Sequence, residues 1–237
     1  LFSGVTRKKL PGGIEAIVSR SGKDLTISRL NQVVAVRPLG AAPTELPSGK
    51  DRREWLADWM TAPDNPYFAR MIVNRLWAHY FGRGLIEPLD DLRATNPASN
   101  EPLLNALVQY LRENRYDLKI FTRAVLNSQT YQRSSQPLSG NADDDQNFSH
   151  ALVKPMPAEV LLDAICQVTG VPEKFNGWPE GYRAIQIWDN RMPSYFFRIF
   201  GRPVRFSVCE CERGTDPSIA QALHLMNSPE ITAKIRS

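Results

Sequence analysis

The sequence predicts a mainly α protein: a single globular helical domain with a small N-terminal β element. Three observations predict it. From residue 51 almost to the end, apolar residues recur at helical spacing, with Asn, Asp, Ser, Pro and Gly at the starts and stops. Alternation of period two is concentrated in residues 14–36. The chain has 237 residues, 42% of them hydrophobic, enough for a sizeable core. No apolar run approaches the roughly 20 residues that a membrane helix needs.

The elements follow in order. Ile14, Ala16 and Val18 alternate, "RSGK" offers a turn, and Leu25 with Ile27 and Val33 with Ala35 continue the alternation, so residues 1–36 read as the β element. Residues 37–50, "RPLGAAPTELPSGK", carry the Pro and Gly of a linker. Residues 51–237 form the helical domain. Its first helix is capped by Asp51 and carries Trp55, Leu56, Trp59 and Met60. The next follows Pro66 and stops at Gly82. Phe68, Ala69, Ile72, Val73, Leu76, Trp77 and Tyr80 fill its apolar half, with Arg70, Asn74 and Arg75 opposite. A third starts near Ser99 on a stripe of Leu103, Leu104, Leu107, Val108 and Leu111. Asp117 caps a fourth, which turns Leu118, Phe121 and Val125 to one side. After the loop at 137–147 comes "PAEVLLDAICQVTG", with Pro157 at its start, Gly170 at its stop, and Val160, Leu161, Ala164, Ile165 and Val168 inward. Residues 171–193 read as irregular with a short strand at "RAIQIW". Asp216 and Pro217 open a helix carrying Ile219, Leu223 and Met226, and Ser228 and Pro229 open a last one.

Net charge is +4 and the pI about 9.0, which alone does not imply nucleic acid. The basic residues divide into 21 Arg and 8 Lys. Arg pairs with carboxylates, sulfates and phosphates in a planar fork that Lys lacks, so the excess fits either internal ion pairs or an anionic ligand. Three cysteines are too few for a disulfide framework. The chain starts without methionine and shows no apolar leader segment, and it reads as a piece of a longer chain, cut at both ends.

Ordered blocks along the chain carry a family likeness. "LADWMTAPDNPYFARMIVNRLWAHYFGRGLIEPLDDLRATNPAS", "YDLKIFTRAVLNSQTYQRSS", "PAEVLLDAICQVTGVPEKF" and "CECERGTDPSIAQALHLMNSPEI" stand in the order found in one family. The chain resembles the C-terminal domain of planctomycete-type, cytochrome c-associated exported proteins, the domain of unknown function 1553 family. The resemblance implies an extracytoplasmic location, periplasmic or cell-surface, because c-type haem is attached outside the cytoplasm in such proteins. It implies as partners the protein's own upstream cytochrome module and a second domain of unknown function, in a context of complex carbohydrate. It supplies no reaction. No C-x-x-C-H occurs here, so haem is expected only on a separate module and this chain is expected to hold no cofactor. After "NPAS" the family usually carries histidine where this chain has Asn100, which departs from the pattern.

Four constellations could carry chemistry. Arg70, Asn74, Arg75 and Arg93 read either as a cleft for an anionic ligand or as a polar network with Asp64, Asp90 and Asp91 that fixes the helix to the "PLDDLRATNP" loop. Asp64, Asp90 and Asp91, with His79 nearby, are weak candidates for an acid–base pair, which needs two carboxyls in different environments. Capping and salt bridging are the plainer roles. In "CECER", Cys209 and Cys211 would share one side of a strand, and with His224 they are weak metal candidates. A structural zinc needs about four ligands, so no metal is favoured; a disulfide between the two would close a strained ring, and reduced, mostly buried cysteines are the plainer reading. "YFFRIFGRPVR" places Tyr195 and Arg198 where aromatic faces and guanidinium groups could hold anionic polysaccharide, or where Phe196, Phe197 and Phe200 are simply core. The same run supports nucleic acid only weakly, and none is expected as a partner. The leading expectation is an accessory binding or scaffold domain. The alternatives are a polysaccharide-acting hydrolase using the loop carboxylates and a docking domain for the chain's own cytochrome module.

Overall fold

The structure is a computed structural model that describes residues 2–11, 15–19, 24–34, 37–39, 51–188, 192–204 and 217–237. It is mainly helical, behind two small hairpins. Strand β1 (Val5–Lys9) pairs antiparallel with β2 (Glu15–Ser19), and β3 (Leu25–Ile27) with β4 (Gln32–Val34). The alternation around Ala16 and Val18 is β2. Its partner β1 is the polar "VTRKK", which carries no alternation for the eye to find. Both hairpins are largely exposed. The Ser19 hydroxyl donates to the Asp51 carboxylate at 2.6 Å, and Arg52 pairs with Asp24 at 2.9 Å, so polar contacts join them to the first helix. Most of the expected linker lies outside the described residues.

Helix α1 (Arg52–Thr61) starts where Asp51 accepts from the Arg53 amide. It buries none of its residues, and the expected inward face of Trp55 to Met60 stays partly or fully exposed. Asn65 ends the following turn: its side chain accepts from the amides of Tyr67 and Phe68 and donates to the Trp59 carbonyl. That one residue closes α1 and opens α2 (Phe68–Phe81), whose N-cap Tyr67 has no capping side chain of its own. Gly82, at φ +82°, ends α2 in the left-handed conformation that costs glycine least.

Two apolar clusters follow. In the first, α2 packs against α3 (Glu101–Glu113) and α4 (Leu118–Leu126), burying Val73, Trp77, Leu104, Leu111, Phe121 and Val125. Asn100 and Asp117 cap these two helices by accepting from backbone amides one turn in. The loop after α4 closes the cluster with Phe148, whose ring meets Trp77 and Phe81 edge-on. Leu118, expected inward, is half exposed.

The second cluster joins α5 (Ala158–Thr169), a short 3-10 turn (Ala184–Gln186), α6 (Tyr195–Ile199) and α8 (Pro229–Arg236). Three expectations change here. "RAIQIW" is not a strand but the 3-10 turn, because the Asp163 carboxylate accepts from the amides of Ala184 and Ile185 and curls the chain around itself. Within α5 the buried residues are Ala158, Glu159 and Leu162, whereas Val160 and Val168 face outward. Helix α7 (Ile219–Asn227) starts after Pro217, capped by Ser218, and Asp216 lies outside the described residues. Its stripe of Ile219, Leu223 and Met226 is exposed, and its inner contact is His224, set against the rings of Tyr195, Phe196 and Phe200 at 5.4–6.2 Å.

Charged side chains complete this second cluster. Arg202 lies over the Phe197 ring at 4.4 Å, donates to the Ile187 carbonyl and pairs with Glu159 at 3.3 Å. Lys234 of α8 donates to the carbonyls of Val171 and Pro172 and pairs with Glu173. Both cations are more than nine-tenths buried and bonded to oxygen, which is how a folded chain tolerates buried charge.

Candidate functional site

The loop 82–99 is organised from inside α2. Asn74 is fully buried. Its amide nitrogen donates to the carbonyls of Ile86 and Leu89, at 2.9 and 3.1 Å, and its oxygen accepts from the Ile86 amide at 2.9 Å. One side chain thus satisfies three backbone groups of "GLIEPL". The chain passes so close that a Cβ on Gly84 would stand 2.6 Å from the Ile86 carbonyl and 3.0 Å from the Asn74 oxygen. Glu87 accepts from the Gly84 amide, and Asn96 donates to the carbonyls of Glu87 and Asp91.

The arginines expected at a cleft have carboxylate partners. Arg70 forks onto Glu101 with two 3.0 Å bonds and also reaches Asn105. Arg75 holds Asp90 at 2.6 Å, and Arg93 forks onto Asp91 at 2.6 and 2.7 Å. The Arg93 guanidinium beside Asp91, helped by the Arg93 amide, holds that carboxyl below the usual carboxylate range. Arg70 and the Ala98 amide do the same for Glu101. A carboxylate held ionised by a fork is a poor proton donor near neutrality. Asp64 stands exposed in the turn between α1 and α2, and neither it nor Asp90 or Asp91 lines the cavities described below. His79 is exposed at the C-terminal end of α2, where its carbonyl and that of Tyr80 accept from the Lys154 ammonium. The structure therefore brings Asn74, Arg75 and Asp90 together at one loop, with the Arg93–Asp91 pair in the same loop, and leaves His79 and Asp64 outside it.

Cys209 and Cys211 lie outside the described residues. His224 lies against the rings of Tyr195, Phe196 and Phe200, and among the described residues no group of three or more His, Cys, Asp or Glu side chains could hold a metal. Cys166 is half-buried, and burial pushes its thiol above the usual value, opposed by the nearby Lys234 ammonium.

Tyr195 and Arg198 present a different picture. Both are exposed on α6, and the Arg198 guanidinium lies 5.1 Å from the centre of the Tyr195 ring. Neither Arg198 nor Tyr195 meets a carboxylate among the described residues. They border an open cleft of about 530 Å³ shared with Met192, Pro193, Phe197 and Val204. Phe196 is buried in the second cluster, as is Phe197, which also forms part of the cleft wall.

The family profile described as PSD1, protein of unknown function (DUF1553), matches residues 52–237. The chain belongs to this family. The match begins at the first residue of α1 and leaves both hairpins outside it. No curated protein and no solved structure matches the chain. No helix among the described residues is long and apolar enough to cross a membrane.

Sequence reasoning missed the pocket walls that distant segments build together. A second cavity, of about 630 Å³, opens between α3, α4 and the loop ending at Phe148. Arg133 and Asn147 on its rim come from a stretch without periodicity, so no pattern in the sequence points to them.

Proposed function

We propose that this DUF1553 domain is an accessory binding module of an exported protein, and that its ligand is an anionic or complex carbohydrate held at Tyr195 and Arg198. The observation that carries the reading is Arg198: a guanidinium without a carboxylate among the described residues, over an exposed tyrosine ring, at the edge of an open cleft. A sugar ring can lie on the tyrosine face while a sulfate or uronate takes the guanidinium fork. Arg70, Arg75 and Arg93 add nothing to such a surface, since each is already neutralised by a carboxylate. The same pairing speaks against a hydrolase built on Asp90 and Asp91.

The test is retention of the purified chain on immobilised sulfated polysaccharide at low salt. Retention is expected to fall about tenfold in Arg198→Gln, the scale of one charge-assisted contact, and to be lost in Tyr195→Ala/Arg198→Gln. It is expected to be unchanged in Arg93→Gln. Equal passage of wild type and double variant through the column would sink the proposal.

A further inference from the structure

The cavity between α3, α4 and the loop ending at Phe148 is separate from the cleft at α6. We infer that it takes a small amphipathic organic anion: an apolar body carrying one carboxylate. Its volume of about 630 Å³ lies within the roughly 300–1,000 Å³ common for small-molecule sites. Its walls are Trp77, Leu107, Phe121 and Val125, which offer an apolar body a dry surface.

Two observations give the ligand its charge. Arg133 is the one charged side chain among the residues lining the cavity. It donates to the Phe148 carbonyl at 2.8 Å, which fixes its position, and it has no carboxylate partner among the described residues. In this it differs from Arg70, Arg75, Arg83 and Arg93 of the same cluster, all of which are paired with Asp or Glu. No acidic side chain lines the cavity to repel an anion.

The experiment is calorimetric titration of the full chain with octanoate and with its neutral amide, octanamide. Octanoate is expected to bind with a Kd of about 0.1–1 mM, the scale set by its size. Octanamide is expected to bind about tenfold more weakly. Arg133→Gln is expected to remove that preference and Arg133→Lys to retain part of it. Ala106→Trp, at an exposed wall position on α3, fills the cavity and is expected to abolish binding of both. Arg198→Gln is expected to leave octanoate binding unchanged, which separates this site from the one on α6. No saturable octanoate binding below about 5 mM overturns the inference. So does equal affinity for acid and amide, or octanoate binding that survives Ala106→Trp.

Discussion

Replacing Asn74 by leucine tests whether the loop after α2 is held from within the helix. The two side chains have similar shape, so little packing changes. What is lost is a pair of donors and one acceptor, serving the Ile86 carbonyl, the Leu89 carbonyl and the Ile86 amide. Ile86 is 1% exposed, so its two groups gain no water in exchange. Each costs about 1–3 kcal/mol when left unpaired, and the less buried Leu89 carbonyl sits at the low end of that range. The sum is about 4 kcal/mol. Burying leucine in place of an amide returns about 1 kcal/mol, leaving a net loss of about 3 kcal/mol. For a chain of this size that corresponds to a fall in Tm of about 6–12 °C. Urea unfolding followed by tryptophan emission reads it directly, with Asn105→Ala, on the exposed face of α3, as a control expected within about 0.5 kcal/mol of wild type. Asn74→Asp is expected to be at least as damaging, since it sets a buried charge against two carbonyl oxygens. If Asn74→Leu unfolds within about 1 kcal/mol of wild type, the loop is held by something else and the reasoning fails.

Gly84→Ala is expected to cost about 2 kcal/mol in the same assay, because its Cβ would press on the Ile86 carbonyl and the Leu89 side chain at 2.6 Å. Glu159→Ala is expected to cost about 3 kcal/mol by stripping Arg202 of its buried carboxylate, and Glu159→Leu/Arg202→Met to cost less than that single change, measured by thermal unfolding. Glu101 is held below its usual 4.5, first by Arg70 and then by the Ala98 amide. Its contribution is therefore complete above that value and fades as pH falls through the lower folded value. Arg70→Gln is expected to be less stable than wild type at neutral pH, with the gap closing in acid titrations below about 4.5. Burial raises the Cys166 thiol above its usual 9.0, so iodoacetamide at neutral pH is expected to label Cys166 in the native chain more slowly than in the urea-unfolded chain, as read by peptide mass spectrometry.

Local signals carried the helices because their chemistry is local. Asp51, Asp117 and Gly82 stand where a cap acts on its own turn, and the stripes on α3 and α4 are wide enough to survive one misplaced residue such as Leu118. Reading failed where the partner is distant. The strand expected at residue 184 is a turn because Asp163, twenty-one positions earlier, accepts its amide. The α7 stripe satisfies helical periodicity yet faces out, because His224 takes the contact with α6. At the candidate sites, residue type showed that Arg and Asp abound, but only coordinates show which pair off. Arg93 and Arg198 look alike in sequence; a carboxylate two positions away occupies the first, and none among the described residues reaches the second.

The contact from Lys154 to the last carbonyls of α2 bears on where this chain can change length. Four positions later α5 begins, and two of the three intervening residues are proline, so a nearly inextensible spacer connects the hook to the helix. One residue inserted between 154 and 158 would displace α5 by about 3 Å, or turn its buried Ala158, Glu159 and Leu162 by about 100° relative to their neighbours. The loop at 137–147 is tied to the end of α2 only near its far end, by Asp145 on Arg83, and homologous chains are expected to vary in length before that pair while keeping the interval from 154 to 158 constant.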